Sequence, residues 1–202
     1  MNLEQKYKFL CETPSDINEH LPTLRKYTSL CESCIETGVR GVISTYALIA
    51  GLLDSGDRRE ILLNDITPCD ITELLCICKD KSVSISYIWK PNLKIELKQE
   101  YDLLFIDTWH VYGQTLRELY KFATFIRKFI ILHDTTVDAE EGETIRNGWG
   151  AVKQSEETDI PVHEIRRGIW PAITDFLACK KEWTLLERYT NNNGLTVLEK
   201  VG

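Results

Sequence analysis

The chain has 202 residues, 43% hydrophobic and 27% charged, with 24 basic residues against 31 acidic ones for a net charge of −7. These are ordinary values for one globular domain long enough to bury a sizeable core. With no basic block and no run of about 18 apolar residues, a general nucleic-acid surface, an anionic-membrane surface and a transmembrane helix are excluded, and the negative charge reads as solubility. Residues 1–6 form a mixed-charge amphipathic start rather than a signal peptide. Seven cysteines, several in apolar surroundings, read as reduced thiols, so the expected location is the cytoplasm. Cys31-x-x-Cys34 has half of a zinc-site spacing but no second pair.

In chain order, residues 1–30 read as two short helices broken at Thr13-Pro14, with Ser15 as the N-cap of the second. Residues 34–36 form a first strand, ended by Thr37-Gly38-Val39-Arg40-Gly41 and followed by a helix over 44–53. Gly56-Asp57 is a turn, residues 60–64 a second strand ending at Asp65, and residues 70–78 a helix capped near Asp70 or Thr72. Val83, Ile85 and Tyr87 alternate along a third strand over 82–89. Residues 101–106 and 128–132 are unbroken apolar runs, which suit strands buried on both faces, and a helix over 114–127 joins them. Residues 149–180 are helix and loop, with Gly168-Ile-Trp-Pro171 as a stop and restart. Asn191-Asn-Asn-Gly194 between residues 183–189 and 195–200 is a hairpin signal.

Strands alternating with helices predict a doubly wound, mostly parallel sheet with an antiparallel C-terminal hairpin. Ligands of such sheets sit beyond the carboxyl ends of the strands. That edge carries Asp107-Thr-Trp-His110 after the fourth strand and His133-Asp134-Thr135 after the fifth. Two carboxylates meeting there repel unless a divalent cation or a proton lies between them. The alternative is that one caps a helix and the other pairs with Arg146, Arg166 or Arg167. A neutral imidazole at His110 suits a general base for a hydroxyl. After the first strand, the closely spaced Gly38 and Gly41 admit a ligand to bare backbone, but G-x-G-x-x-G is absent, which disfavours a diphosphate. Asp65 suits the hydroxyls of a ribose, or else caps the next helix. Trp109, Tyr112, Trp149 and Trp170 either stack a sugar ring or pack in the core or a lid. His20 and His163 read as surface or loop residues.

Taken together, Ile35-Glu36-Thr-Gly38-Val-Arg-Gly41-Val-Ile-Ser44-Thr45, Asp65, Phe105-Ile106-Asp107-x-x-His110 and His133-Asp134-Thr135 resemble the class I S-adenosylmethionine-dependent O-methyltransferases. Within that group the resemblance is to the metal-dependent sugar branch, the rhamnosyl and macrolide-sugar enzymes with the cephalosporin hydroxylase-like family. It implies a Rossmann-like seven-stranded sheet with helices on both faces, with residues 31–202 as the methyltransferase domain and residues 1–30 as a helical substrate-side segment. By the same resemblance Glu36, Gly38, Val39 and Ser44 surround the methionine end of S-adenosylmethionine. Asp65 holds its ribose, Tyr87 flanks its adenine, and Asp107 also borders it. Asp107 and Asp134 bind Mg²⁺ or Mn²⁺, and His133 is assigned as a third ligand where relatives carry an acid. His110 takes the proton from a sugar or glycan hydroxyl. A homodimer, and attachment to glycosyltransferase domains in a longer protein, are left open. The rival readings are a catechol-type O-methyltransferase, whose base is more often Lys, an iron oxygenase using His110, His133 and Asp107 as a facial triad, and a non-catalytic binding domain.

Overall fold

The computed structural model describes residues 1–54, 56 and 59–202; Asp57, half of the turn expected at 56–57, lies outside them. Helices α1 (Leu3–Glu12) and α2 (Leu21–Thr28) precede the first strand, β1 (Ser33–Thr37). Then follow α3 (Ile43–Asp54), β2 (Arg59–Asp65), α4 (Thr72–Cys78), β3 (Val83–Trp89) and β4 (Tyr101–Ile106). Next come α5 (Tyr112–Phe122), β5 (Ile126–His133), α6 (Glu143–Arg146), α7 (Ala151–Thr158), α8 (Val162–Arg166) and α9 (Ile169–Cys179). The hairpin β6 (Trp183–Tyr189) and β7 (Leu195–Lys200) closes the chain.

The strands form one sheet in the order β3-β2-β1-β4-β5-β7-β6. β1 to β5 pair in parallel, and β7 lies antiparallel to both β5 and β6. All of β4 and β1 are buried, as expected of central strands covered on both faces. One face packs α1 to α4 through Leu24, Leu48, Leu52 and Leu74, and the other packs α5 and α9 through Phe122, Ile173 and Phe176. At roughly 25 cal/mol per Å² of apolar surface removed from water, these two layers supply most of the driving force for the fold. α3 is apolar all round and correspondingly buried from Ser44 to Leu52.

Several expected boundaries move. The second helix begins at Leu21, not after Ser15, because Ser15 is taken into a local turn: its Oγ accepts the Ile17 N–H, and its own N–H donates to Asn18 Oδ1. The helix expected over 114–127 is shorter at its end, because Ile126 and Arg127 belong to β5. His20 is buried, not on the surface, with Nε2 2.9 Å from the Asn191 carbonyl, so the N-terminal segment is clamped to the hairpin turn. Among the described residues no helix is long and apolar enough to cross a membrane.

Candidate active site

The carboxyl ends of β1 and β2 are locked to each other. The Gly38 N–H donates to the Asn64 carbonyl (2.9 Å), and Gly38 has φ +88°. A Cβ there would collide with the Asp107 carbonyl oxygen, so only glycine fits. The strain continues into the loop, where Arg40 (φ 42°) and the β-branched Val42 (φ 61°) occupy the left-handed region. Asp65 holds this loop in place. Its Oδ2 accepts the Val39 and Arg40 N–H groups (2.9 Å each), and its Oδ1 accepts the Thr67 N–H (2.8 Å) and hydroxyl (2.9 Å). Burial acts to raise the Asp65 pKa, but these donors outweigh it and hold the carboxyl below its usual range. A carboxylate has about four acceptor positions, and all four are filled, so ribose hydroxyls would bind Asp65 only by displacing one of these donors.

Glu36 lies fully buried behind the loop. The Ser44 and Thr45 hydroxyls both donate to it, yet burial pushes its pKa up to about 8. Arg40 reaches outward to an ion pair with Asp16 of the N-terminal segment.

The ends of β4 and β5 are the opposite case. Asp107, His110 and Asp134 bring one ligand atom each within 4.8 Å of one another. His110 Nε2 is 3.3 Å from Asp107 Oδ1, and Nδ1 is 3.0 Å from Asp134 Oδ2, 3.3 Å from Asp138 Oδ2 and 3.7 Å from Glu143 Oε2. Despite these approaches, both His110 nitrogens and Asp134 Oδ1 are buried with no hydrogen-bond partner of adequate geometry. Burial alone would lower the His110 pKa, but the carboxylates of Asp107, Asp134 and Asp138 raise it well above the usual value. Asp107 moves the other way: burial opposes ionisation, and the two flanking imidazoles hold its carboxyl well below the usual range. Asp134 itself sits at φ 56°, a strained backbone at the end of β5.

His133 flanks this trio. Its Nδ1 is 3.3 Å from Asp107 Oδ1 and 3.6 Å from Asp134 Oδ1, and its Nε2 is 3.4 Å from the Asn192 carbonyl, so both ring nitrogens face protein groups and the ring orients Asp107. Asp138 and Glu143 carried no sequence signal and belong to the cluster. Asp138 is buried and bidentate to Arg146 (2.5 and 2.9 Å), so Arg146 pairs with neither Asp107 nor Asp134. Glu143 opens α6 and accepts the His110 N–H (3.3 Å).

A cavity of about 510 Å³ opens between these two ends of the sheet. Gly38, Arg40, Asp65 and Asp107 line it. Glu36, Val39 and Ser44 are buried and are not among its lining residues. Tyr87 does not line it: its hydroxyl donates to the Thr67 carbonyl and accepts the Cys69 N–H, bracing the loop after β2. Asn92 and Leu93 line it after β3 instead, with Asn92 hydrogen-bonded to Gln114 (3.0 Å) beside Thr108 and Trp109. Trp109 is tied by Nε1 to Thr144 Oγ1 (3.0 Å), and Trp170 lies under the Arg188 guanidinium, so both pack against protein groups.

A doubly wound sheet of this order, with an antiparallel β7 beside β5 and a cavity at the ends of β1, β2 and β4, is the fold of S-adenosylmethionine-dependent methyltransferases. The N-methyltransferase NodS from Bradyrhizobium japonicum WM9, bound to S-adenosyl-L-homocysteine, superposes with a TM-score of 0.61 at 14% identity, covering 100% of both chains. The O-methyltransferase TomG from Streptomyces achromogenes, in complex with S-adenosylmethionine, gives 0.58 at 14% identity over 99% of this chain and 89% of that one. An O-methyltransferase from Bacillus cereus bound to S-adenosylhomocysteine gives 0.58 at 14% over 98% and 90%. At such identities the likeness establishes the fold. No family model and no curated protein matches the sequence.

Proposed function

We propose that the chain is an S-adenosylmethionine-dependent O-methyltransferase that modifies a hydroxyl of a sugar or glycan, with Mg²⁺ or Mn²⁺ held by Asp107 and Asp134. The observation that carries this reading is the contact of the cavity with the Asp107–His110–Asp134 cluster, which shares Asp107 with it. Hard carboxylate donors, with buried polar atoms that lack partners inside the protein, fit such a cation. One imidazole with two carboxylates is not the two-histidine facial triad of an iron oxygenase, and His133 is turned to Asp107 and Asn192.

When bound, the cation would acidify a coordinated hydroxyl and fix its direction, and S-adenosylmethionine would supply the methyl on its sulfonium. The chain's own residues do the rest. The strained 38–42 loop and Asp107 confine the donor's reactive end, so that acceptor oxygen and methyl carbon meet in line. His110, whose neighbouring carboxylates favour the protonated ring, would become the neutral imidazole with the cation's charge set against them, and in that state would take the hydroxyl proton on a ring nitrogen, with Asp138 and Glu143 orienting it. A vicinal diol, able to offer two oxygens to one cation, is the acceptor geometry that fits best.

Titrating S-adenosylhomocysteine into the purified chain, with Mg²⁺ and then with EDTA, tests the reading. Micromolar binding in either condition is expected, followed by Mg²⁺-dependent methylation of glycosides bearing vicinal diols. Absence of binding in both conditions overturns it.

A further inference from the structure

Four of the five tryptophans are held by their surroundings. Trp183 is buried against Phe176, and Trp170 lies under Arg188. The indole N–H groups of Trp89 and Trp109 donate to the Ile66 carbonyl (2.9 Å) and to Thr144 Oγ1 (3.0 Å). Trp149 is the exception. It is 48% exposed, and its indole makes no hydrogen bond or ring contact among the described residues. Nor does it join any of the packed apolar clusters. One exposed apolar side chain is ordinary on a protein surface; the place of this one is not.

The backbone under Trp149 is fastened to the site. Thr144, fully buried in α6, accepts the Trp149 N–H on its carbonyl (2.8 Å). The Thr144 hydroxyl takes the indole N–H of Trp109, which lines the cavity, and donates to Gln154 Oε1 (2.7 Å). The residue before it, Glu143, accepts the His110 N–H (3.3 Å) and stands 3.7 Å from the His110 ring. Gly148, at φ +67°, makes the turn that returns the chain to Thr144. Trp149 is therefore one hydrogen bond away from a residue pair that touches both the cavity wall and the cation cluster. It does not itself line the cavity, so a donor bound there leaves the indole uncovered.

We propose that Trp149 sets acceptor specificity: its indole packs against the C–H face of a pyranose ring whose vicinal hydroxyls reach the cation at Asp107 and Asp134. This rests on the sugar-acceptor reading above. A pyranose is polar around its rim, but its ring hydrogens give it a flat apolar side. An aromatic face takes that side out of water without competing for the hydroxyls. An open-chain polyol offers the same diol to the cation but has no such face, so the contact selects cyclic acceptors. Trp149 binds the acceptor and takes no part in proton or methyl transfer.

The test uses methyl pyranosides bearing vicinal diols, methyl α-D-mannopyranoside and methyl α-L-rhamnopyranoside among them, with D-mannitol as the open-chain counterpart. Wild type, Trp149→Ala and Trp149→Phe are assayed with S-adenosylmethionine and Mg²⁺. Trp149→Ala should raise KM for the pyranosides about 10-fold while kcat changes less than about 2-fold. Its Tm and its affinity for S-adenosylhomocysteine should stay as in wild type, since the indole packs on nothing in the protein. Wild type should prefer the pyranosides to mannitol by about 10-fold in kcat/KM, and Trp149→Ala should lose that preference. Trp149→Phe, which keeps a ring, should hold KM within about 3-fold of wild type. With S-adenosylhomocysteine and Mg²⁺ bound, the pyranosides should shift the indole emission of wild type but not of Trp149→Phe. An unchanged pyranoside KM or an unchanged preference in Trp149→Ala overturns this inference and leaves the methyl-transfer reading standing. A wild type that binds S-adenosylhomocysteine but methylates no pyranoside overturns the sugar-acceptor reading and this inference with it. Failure to bind S-adenosylhomocysteine overturns the methyl-transfer reading as well.

Discussion

The two halves of the site are built on opposite principles. At the ends of β1 and β2 every acceptor position of Asp65 is filled by a neighbouring donor, and Gly38 admits no side chain. At the ends of β4 and β5, His110 and Asp134 bury polar atoms that have no well-aligned hydrogen-bond partner among the described residues. The first half is a finished scaffold whose strain is held by its own hydrogen bonds; the second gathers charged groups that the described residues leave without full hydrogen bonding. Buried unsatisfied groups cost about 1–3 kcal/mol each, so a fold keeps them where an external partner repays the cost.

Four substitutions sharpen this contrast, ranked by expected loss of thermal stability. Gly38→Ala is the most severe, since it forces both a collision with Asp107 and an L-residue at φ +88°. We expect about 3 kcal/mol of destabilisation and a fall in Tm of about 10 °C, measured by calorimetry, with cofactor binding lost. Asp65→Ala strands the Val39, Arg40 and Thr67 donors and should cost about 2 kcal/mol, or roughly 6 °C. A Tm within a degree of wild type would show that the loop is held by something else.

Glu36→Gln separates burial from charge. Glu36 has its folded pKa raised to about 8 from 4.5, so the folded state holds a proton that the unfolded state has released between those values. Its contribution to stability is full below about pH 4.5 and is lost as pH rises toward 8. Glutamine does not titrate, so the variant's Tm should gain steadily on that of wild type as pH rises from 5 to 8, in melts across that window. A constant difference would contradict the raised pKa.

Asp134→Asn should change Tm least, because Asn tolerates φ 56° and relieves repulsion in the acidic cluster. In EDTA it should melt within about 2 °C of wild type. On the proposed cation site Mg²⁺ should raise the Tm of wild type by binding the folded state; in the variant that rise should vanish, and Mg²⁺-dependent turnover should fall about 100-fold. An equal Mg²⁺ shift in both proteins would remove Asp134 from the cation site.

Much of this architecture is written locally. The apolar runs 103–106 of β4 and 129–132 of β5 form strands because they follow charged residues (Asp102, Arg127 and Lys128) as unbroken apolar stretches, and the Asn191-Asn-Asn-Gly194 turn falls between strands with the expected limits. Asp107, His110 and Asp134 stand out because acid and imidazole follow directly on such runs. Glu118 gives no such sign: in sequence it is one more charge on an amphipathic helix, and only the packing of α5 against the sheet buries it. Asp138 and Glu143 lie in the segment after β5, and their approach to His110 depends on how that segment folds back. The bonds of Tyr87 to Thr67 and Cys69 are likewise beyond local reading, since alternation along β3 fixes which face a residue takes but not what loop will cover it.

The residue pattern alone carries the alternation of strands and helices, the glycine turn after the first strand, and the acids and histidines at the strand ends, because each of these signals lies within a few residues of chain. Only the tertiary structure decided which of those groups are satisfied. Hydrogen-bond saturation at Asp65, its absence at His110 and the bonds of Asn92 and Thr108 to Glu118 depend on groups from other elements, 25 residues away for Arg40 and Asp65 and 26 for Asn92 and Glu118. Such pairings exist only once the sheet has brought its strand ends together.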